Sequence, residues 1–342
     1  SLIPLRLIPP RTEQLKDKLL PLQRDDFGAC LLLFDDNHYL IEFFAYHYHV
    51  LPLRELIVMM DARSRTSPMD ILQRWKGRIK FEVWDETKVF PEGKLEYYRA
   101  KNDLVKLHRA RQGYFYAECL REFKQRGAEW VSFVDVDEYI LVNPRMNQRD
   151  HPLYRPDYQQ NDGPGSVLDF LRKEKNRLSG SVPFCYHMAR RDIVSKESSL
   201  EKINRGVPLG LNATDLFTTR WLFVSDRRLT GKCLVNAAPI LEATIPVTAA
   251  RQGHVVLSGV CPAGWYAKYM MSFDSQPIIV HHYLGSSEQY LFRDDPRRDR
   301  TASYLEFKGS SSPLSEADYA RWWLPEFIKS VGLEQAKRLL EH

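Results

Sequence analysis

The stretch Trp130-Val131-Ser132-Phe133-Val134-Asp135-Val136-Asp137-Glu138-Tyr139 decides how the chain is read. Its first five residues are mostly apolar and suit a strand buried on both faces, and they run directly into three carboxylates within four positions. Burying such charges without a partner is prohibitive, so the acids mark the end of the strand and a place for a cation. In an open parallel sheet, ligands gather outside the carboxyl ends of the strands, where Asp135 and Asp137 are expected. On extended chain their alternate spacing points both side chains the same way. Mg2+ or Mn2+ typically takes one or two carboxylates from a protein and completes its shell with phosphate oxygens and water, and an Asp-x-Asp pair supplies that minimum. A solvated turn after a strand is the plainer reading of the same acids.

Outward from this strand the pattern is an alternation of short apolar runs and helical periodicities. Ala29–Phe34 reads as a strand and Tyr39–Val50 as a packed helix. Leu56–Met60 is a second strand, Met69–Trp75 a short helix, Ile79–Trp84 a third strand and Leu104–Arg126 a long helix ahead of Gly127. Alternation of this kind specifies an α/β fold, a mostly parallel central sheet flanked by helices. From Asn143 to Gly165 the composition turns to Pro, Asn, Asp, Gln and Gly, which marks a long surface loop. Beyond it, strand-like pieces at Gly180–Cys185, Lys232–Val235, His254–Leu257 and Ile278–His282 indicate a mixed α+β half. Pro4, Pro9, Pro10 and Pro21 make residues 1–26 an arm. The organisation expected is that arm, a ligand-binding half over 27–145, a second half of the same domain over 146–300, and a helical tail over 301–342, packed by Trp322, Trp323, Phe327, Leu333 and Leu339.

The 342 residues, 44% hydrophobic and 12% aromatic, suffice for one large α/β domain or two small ones. No apolar run approaches the ~18 residues needed to cross a bilayer. The sequence opens at Ser1 without a basic and apolar leader, so any targeting or membrane-tethering segment is expected to lie outside it. A net charge of +5, with basic residues scattered among 44 acidic ones, speaks against nucleic acid as a partner. The five cysteines contain no C-x-x-C pair, so neither a zinc ribbon nor a redox dithiol is encoded; a small buried thiol is the simpler reading of a cysteine such as Cys30 in an apolar run. One glycosylation sequon is present, Asn212-Ala213-Thr214.

Two further constellations carry chemistry. Phe34-Asp35-Asp36-Asn37 ends the first strand just before a helix, where Asp36 or Asn37 would cap and Asp36 could equally meet a ligand. Asp61, after the second strand and followed by Ala62-Arg63-Ser64, stands where it and Arg63 would meet a base or ribose. The late strand ends in His281-His282-Tyr283; imidazole is a common ligand of transition metals, and alternation lets only one of the two histidines face the site.

These pieces together resemble glycosyltransferase family 92 and its relatives of the GT-A superfamily, over about residues 29–293. Tyr39-Leu40-Ile41-Glu42-Phe43 and Tyr46-His47 resemble the family's Tyr-Leu-x-Glu-Trp and Tyr-His elements. Asp61–Ser64 and Arg111-Gln112 match its Asp-x-x-Ser and Arg-Gln elements, and Asp135–Tyr139 matches its Asp-x-Asp-Glu-aromatic signature in full. Pro208, Gly210, Leu211, Asp215 and Arg220, then Lys232, then His282-Tyr283, look like its later motifs; Phe34-Asp35-Asp36 departs from the family's Lys-Asn-Glu turn.

The resemblance implies a GT-A-like Rossmann-type fold with an acceptor-binding second half. It implies transfer of a sugar from a nucleotide-sugar donor, such as UDP-galactose among UDP-sugars, to a glycan or glycoprotein acceptor in the Golgi or secretory-pathway lumen, with inversion. Asp135, Asp137 and His282 would hold Mn2+ or Mg2+, and Asp36, Asp61, Arg63, Gln112, Glu138 and Lys232 would meet the donor. Inversion needs a base to deprotonate the acceptor hydroxyl; Asp215 is the candidate, with Asp192, Glu242 and Asp274 as rivals. Trp221, Trp265 and Tyr266 are candidate platforms for an acceptor sugar. Two other classes compete: a non-catalytic carbohydrate-binding relative, and a Mg2+-dependent phosphatase of the haloacid dehalogenase type, which places its Asp-x-Asp strand nearer the domain's beginning.

Overall fold

A computed structural model describes residues 27–158, 163–177, 185–194, 216–220, 223–225, 231–247, 274, 276–285, 291–292, 311–313 and 323–341. Over these residues the protein is mixed α/β, a large central sheet flanked by helices. The first half is strand β1 (Phe27–Leu33), helix α1 (Asn37–Val50), β2 (Leu53–Met60), α2 (Met69–Arg74), β3 (Lys80–Trp84), α3 (Glu86–Val89), α4 (Lys94–Ala100), α5 (Leu104–Gln125) and β4 (Trp130–Phe133). After it come β5 (Glu138–Val142), α6 (Ser166–Arg177), β6 (Cys185–Val194), α7 (Phe217–Arg220), β7 (Phe223–Ser225), β8 (Lys232–Asn236), β9 (Ile278–Tyr283) and β10 (Ser311–Pro313). Two helices, α8 (Trp323–Val331) and α9 (Leu333–Leu339), end the described chain.

The expected parallel half is present: β1 pairs in parallel with β2 and β4, and β2 with β3. The mixed half begins at β8, which is antiparallel to both β4 and β6. β6 is long enough to serve two neighbours. Cys185–Met188 pair with β8, and Ala189–Ile193 pair in parallel with β9, which in turn pairs antiparallel with β5. Strand alternation sorts the core: Ala29, Leu31, Leu56 and Val58 pack with α1, whereas Cys30, Ile57, Met59 and Phe133 pack with α5.

Several elements were not visible in the pattern: α3, α4, α7, β7 and β10 among them, and β6, whose Cys185–Val194 begins where the expected Gly180–Cys185 ends. Tyr139–Val142 is an apolar run hidden behind the acids, and it forms β5; α6 begins at Ser166, where the expected loop ends. The described part of that loop is pinned inward. Asn143 is fully buried, its amide donating to Gln276 O at 2.8 Å and its backbone N–H to Pro277 O at 2.8 Å. The tail packs through Trp323, Phe327 and Leu339 as expected, while Leu333 faces outward and Trp322 lies outside the described residues. The strand expected at His254–Leu257 and the sequon also lie outside them. No described helix is long and apolar enough to cross a membrane.

Cys30 is not a free thiol. It forms a disulfide with Cys119 across a Cα–Cα distance of 6.2 Å, which ties β1 to α5. The partners are 89 residues apart in sequence, so pairing could not be deduced from spacing. One helical turn on, Phe123 lies against Gly28, two residues before Cys30 on the same strand face; a Cβ at Gly28 would sit 2.5 Å from the ring. The glycine is there for close approach, and the cross-link holds the approach.

Helix α1 is buried nearly all round and works as a scaffold. Its side chains serve the edge of β5 that no described strand covers: Tyr46 donates to Ile140 O at 3.0 Å, and His47 Nε2 accepts from Ile140 N at 3.3 Å. His47 Nδ1 donates to Phe43 O at 2.9 Å, and burial holds this imidazole neutral with a pKa near 3. Tyr39 donates to Leu284 O at 3.0 Å, just beyond β9. Glu42, also buried, accepts from the backbone N–H groups of Phe217 and Thr218 at the start of α7 and from the Thr218 hydroxyl, whose oxygen accepts from Trp323 Nε1.

Gly28→Ala is expected to lower the unfolding free energy by about 1–3 kcal/mol, because the buried Phe123 ring has little room to yield; urea unfolding with the disulfide intact measures this. Burial raises Glu42 from 4.5 to about 7, against its three hydrogen-bond donors. The unfolded chain therefore releases this proton before the native chain does, and stability falls as pH rises from about 4.5 to 7, then levels off. The loss amounts to roughly 3 kcal/mol at ~1.4 kcal/mol per pH unit. Glu42→Gln should lack this fall, so its stability relative to wild type improves between pH 5 and 8 in urea titrations.

Candidate functional site

The strand β4 stops at Phe133, and the chain then turns: Glu138 N–H donates to Asp135 O at 3.0 Å, while Asp135 N–H donates back to Glu138 Oε2 at 2.8 Å. The acids therefore sit on a turn, not on extended chain, and the alternation expected to aim Asp135 and Asp137 together does not apply. The turn hands Glu138 to β5 and leaves Asp137 beside β9, where its carbonyl accepts from Tyr283 N–H at 2.8 Å.

Register then assembles a row of three ionisable groups across three strands. Glu138 on β5 stands opposite His282 on β9, and His282 stands opposite Asp192 on β6. His282 Nδ1 donates to Asp192 Oδ1 at 2.5 Å, and Nε2 lies 3.3 Å from Asp137 Oδ2. Ligand atoms of Asp137, Glu138 and His282 all lie within 4.8 Å of one another. His281 points to the other face, fully buried, with burial lowering its pKa to about 3. Alternation thus leaves one histidine at the acids.

Two cations offset this charge. Lys232, buried at the start of β8, places Nζ 2.9 Å from Asp135 Oδ2 and 2.7 Å from Glu138 Oε2. Arg190 on β6 lies 3.2 Å from Glu138 Oε1 and 3.9 Å from Asp192 Oδ1. Burial pushes the Glu138 carboxyl up, while Lys232 pulls it back. Burial opposes charge on His282, but Asp137 foremost and Asp192 behind it lift the ring to about 9.

Four carboxylates thus face two permanent cations and an imidazole. A divalent ion replacing the Nε2 proton would restore neutrality, and two carboxylates with one imidazole form a donor set that Mn2+ accepts. The residues fit a metal. The trio that converges contains Glu138, and Asp135 stands beside it, bonded to Lys232.

The remaining candidates lie along the same edge of the sheet, beyond the carboxyl ends of β1 and β2. Asp61 is buried, and its carboxylate accepts from Arg63 at 3.0 and 2.8 Å and from Arg111 at 3.1 Å. Burial works against its charge, but these guanidiniums hold its pKa below the usual range. Arg111 also reaches Glu86 at 2.6 Å, and Gln112 is buried next to it on α5. Asp36 occupies the N-cap position of α1, but its carboxylate turns back to accept from Phe34 N–H at 2.9 Å, and Asn37 donates to Ser67 O; neither side chain caps the helix. Asp35, at φ 56°, accepts from the backbone and side chains of Arg65 and Thr66.

Asp215 and the aromatic candidates Trp221, Trp265 and Tyr266 lie outside the described residues. Of its rivals, Glu242 pairs with Gln125 at the far end of α5, where β4 begins. Asp274 is more than half exposed and lies 3.8 Å from Arg145. Asp192 is fully buried behind His282. Arg190 was missed by sequence reading; its only signal was alternation with Asp192 along a strand whose polar residues masked its burial.

No family model matches the chain, and no curated protein does. Among solved structures it is similar to S. aureus TarS 1-349 in complex with UDP, at 13% identity and a TM-score of 0.31 over 92% of this chain and 83% of that one. S. aureus TarS 1-349 gives 12% and 0.31 with the same coverage, and S. aureus TarS gives 13% and 0.34 over 92% of this chain and 49% of that one. At this degree of overlap the likeness carries no argument for fold or activity.

Lys232→Met should cost about 3–5 kcal/mol in urea unfolding, because it removes a buried cation that two carboxylates share. A loss below about 1 kcal/mol would mean that water reaches Glu138 as it already reaches Asp135.

Proposed function

We propose that the protein is a metal-dependent, inverting glycosyltransferase that moves a sugar from a UDP-sugar donor to a glycan acceptor. The observation that carries this reading is the convergence of Asp137, Glu138 and His282 next to the carboxyl end of β4. Ligands collect at that edge of an open sheet, and Asp36, Asp61, Arg63 and Gln112 follow along it for the nucleoside end of the donor. UDP-galactose is the first sugar to test, on the strength of the family resemblance.

Asp137, Glu138 and His282 would hold Mn2+ or Mg2+. Such an ion, when bound, offsets the charge gathering on the departing diphosphate. Lys232 holds Asp135 and Glu138 in place, and Asp215 is the proposed base for the acceptor hydroxyl. The Cys30–Cys119 disulfide supports an oxidising compartment, in keeping with a secretory-pathway lumen.

Isothermal titration of UDP, GDP and UDP-galactose, with and without Mn2+, tests the reading. A uridine nucleotide should bind only with Mn2+, and Asp137→Ala should weaken it more than about 100-fold, beyond what loss of a supporting residue does. Binding of none of the nucleotides would sink the transferase; binding of a glycan alone, indifferent to Asp137, would favour the non-catalytic relative.

A further inference from the structure

The buried carboxylate of Asp192 has no place in the reading so far. It is sealed from solvent, so it cannot reach an acceptor hydroxyl, and it lies across the imidazole from Asp137, so it is not one of the converging ligands. What it touches is His282: Oδ1 accepts from Nδ1 at 2.5 Å, between residues that the β6–β9 register sets directly opposite. Its other oxygen, Oδ2, is buried and makes no hydrogen bond among the described residues, so the carboxylate is committed to this one contact and to the charge of Arg190.

We propose that Asp192 is a positioning residue for the metal site: it holds the proton of His282 on Nδ1 and fixes the ring so that Nε2 is presented beside Asp137 and Glu138. The inference rests on reading those three residues as metal ligands. The physical reason is the equivalence of the two imidazole nitrogens. Only one can coordinate in the neutral ring, and the hydrogen bond made by the other decides which. An imidazole without Asp192 could turn over about its Cβ–Cγ bond or carry its proton on Nε2, and either change removes the ligand while leaving its position in the chain untouched. Arg190 completes the device. Its contacts to Glu138 and Asp192 let two carboxylates flank the ring in one buried row.

The test is a double-mutant cycle on Mn2+ affinity, followed by electron paramagnetic resonance of free Mn2+. Wild type, Asp192→Leu, His282→Ala and the double variant are compared, with Asp192→Asn in the same cycle in case the leucine variant does not fold. Asp192→Leu should weaken Mn2+ binding by about 10–100-fold. Asp192→Asn, which keeps an acceptor oxygen for Nδ1–H, should lose less, and neither should matter once His282 is alanine. Unchanged affinity in both Asp192 variants overturns the proposal, as does an equal loss in the His282→Ala background, which would mean that Asp192 acts through charge or folding alone. Failure of wild type to bind Mn2+ is a different outcome: it takes down the metal-site reading itself, and this proposal with it.

Discussion

The structure turns on the cost of gathering four carboxylates, three of them buried, at one end of a sheet. Glu138 and Asp192 approach one another because β9 runs between β5 and β6, and the turn after β4 brings Asp135 and Asp137 beside them. Such a cluster survives only if each member has a compensating partner. Lys232 spans Asp135 and Glu138, Arg190 lies against Glu138 and Asp192, and His282 stands between Asp137 and Asp192. Each partner comes from a different strand, so the site and the pairing of β5, β6, β8 and β9 depend on one another.

Helix α1 carries much of that dependence. It supplies hydrogen-bond partners to the edge of β5 away from β9, holds the chain after β9, and gives α7 an acceptor for its first N–H groups. A buried helix packed by aromatics would be inert scaffolding; this one places polar atoms of Tyr39, Glu42, Tyr46 and His47 where irregular backbone needs them. The side of the sheet facing α5 has a different fastening, a disulfide and a glycine that lets an aromatic ring close on β1.

Local pattern determined a good deal by itself. Apolar runs and helical periodicity located β1 to β4, α1, α2 and α5 within a few residues, because each buries a face that its own composition must supply. The same pattern located β8 and β9. The acids after Trp130–Val134 identified the candidate site, since three carboxylates following a buried strand need a reason. Alternation in His281-His282 indicated that one imidazole would stand apart from the other.

Tertiary structure decided which atoms meet. Glu138 joins Asp137 and His282 because the chain turns after β4, a turn that no spacing rule announces. Cys30 pairs with Cys119, and Arg190 and Asp192 face the acids, through contacts between residues 50 to 90 positions apart or more in sequence. The sequence dictates the periodicity of each segment because burial acts residue by residue along a single element. Partners across strands depend on register and sheet order, which are properties of how the elements pack together.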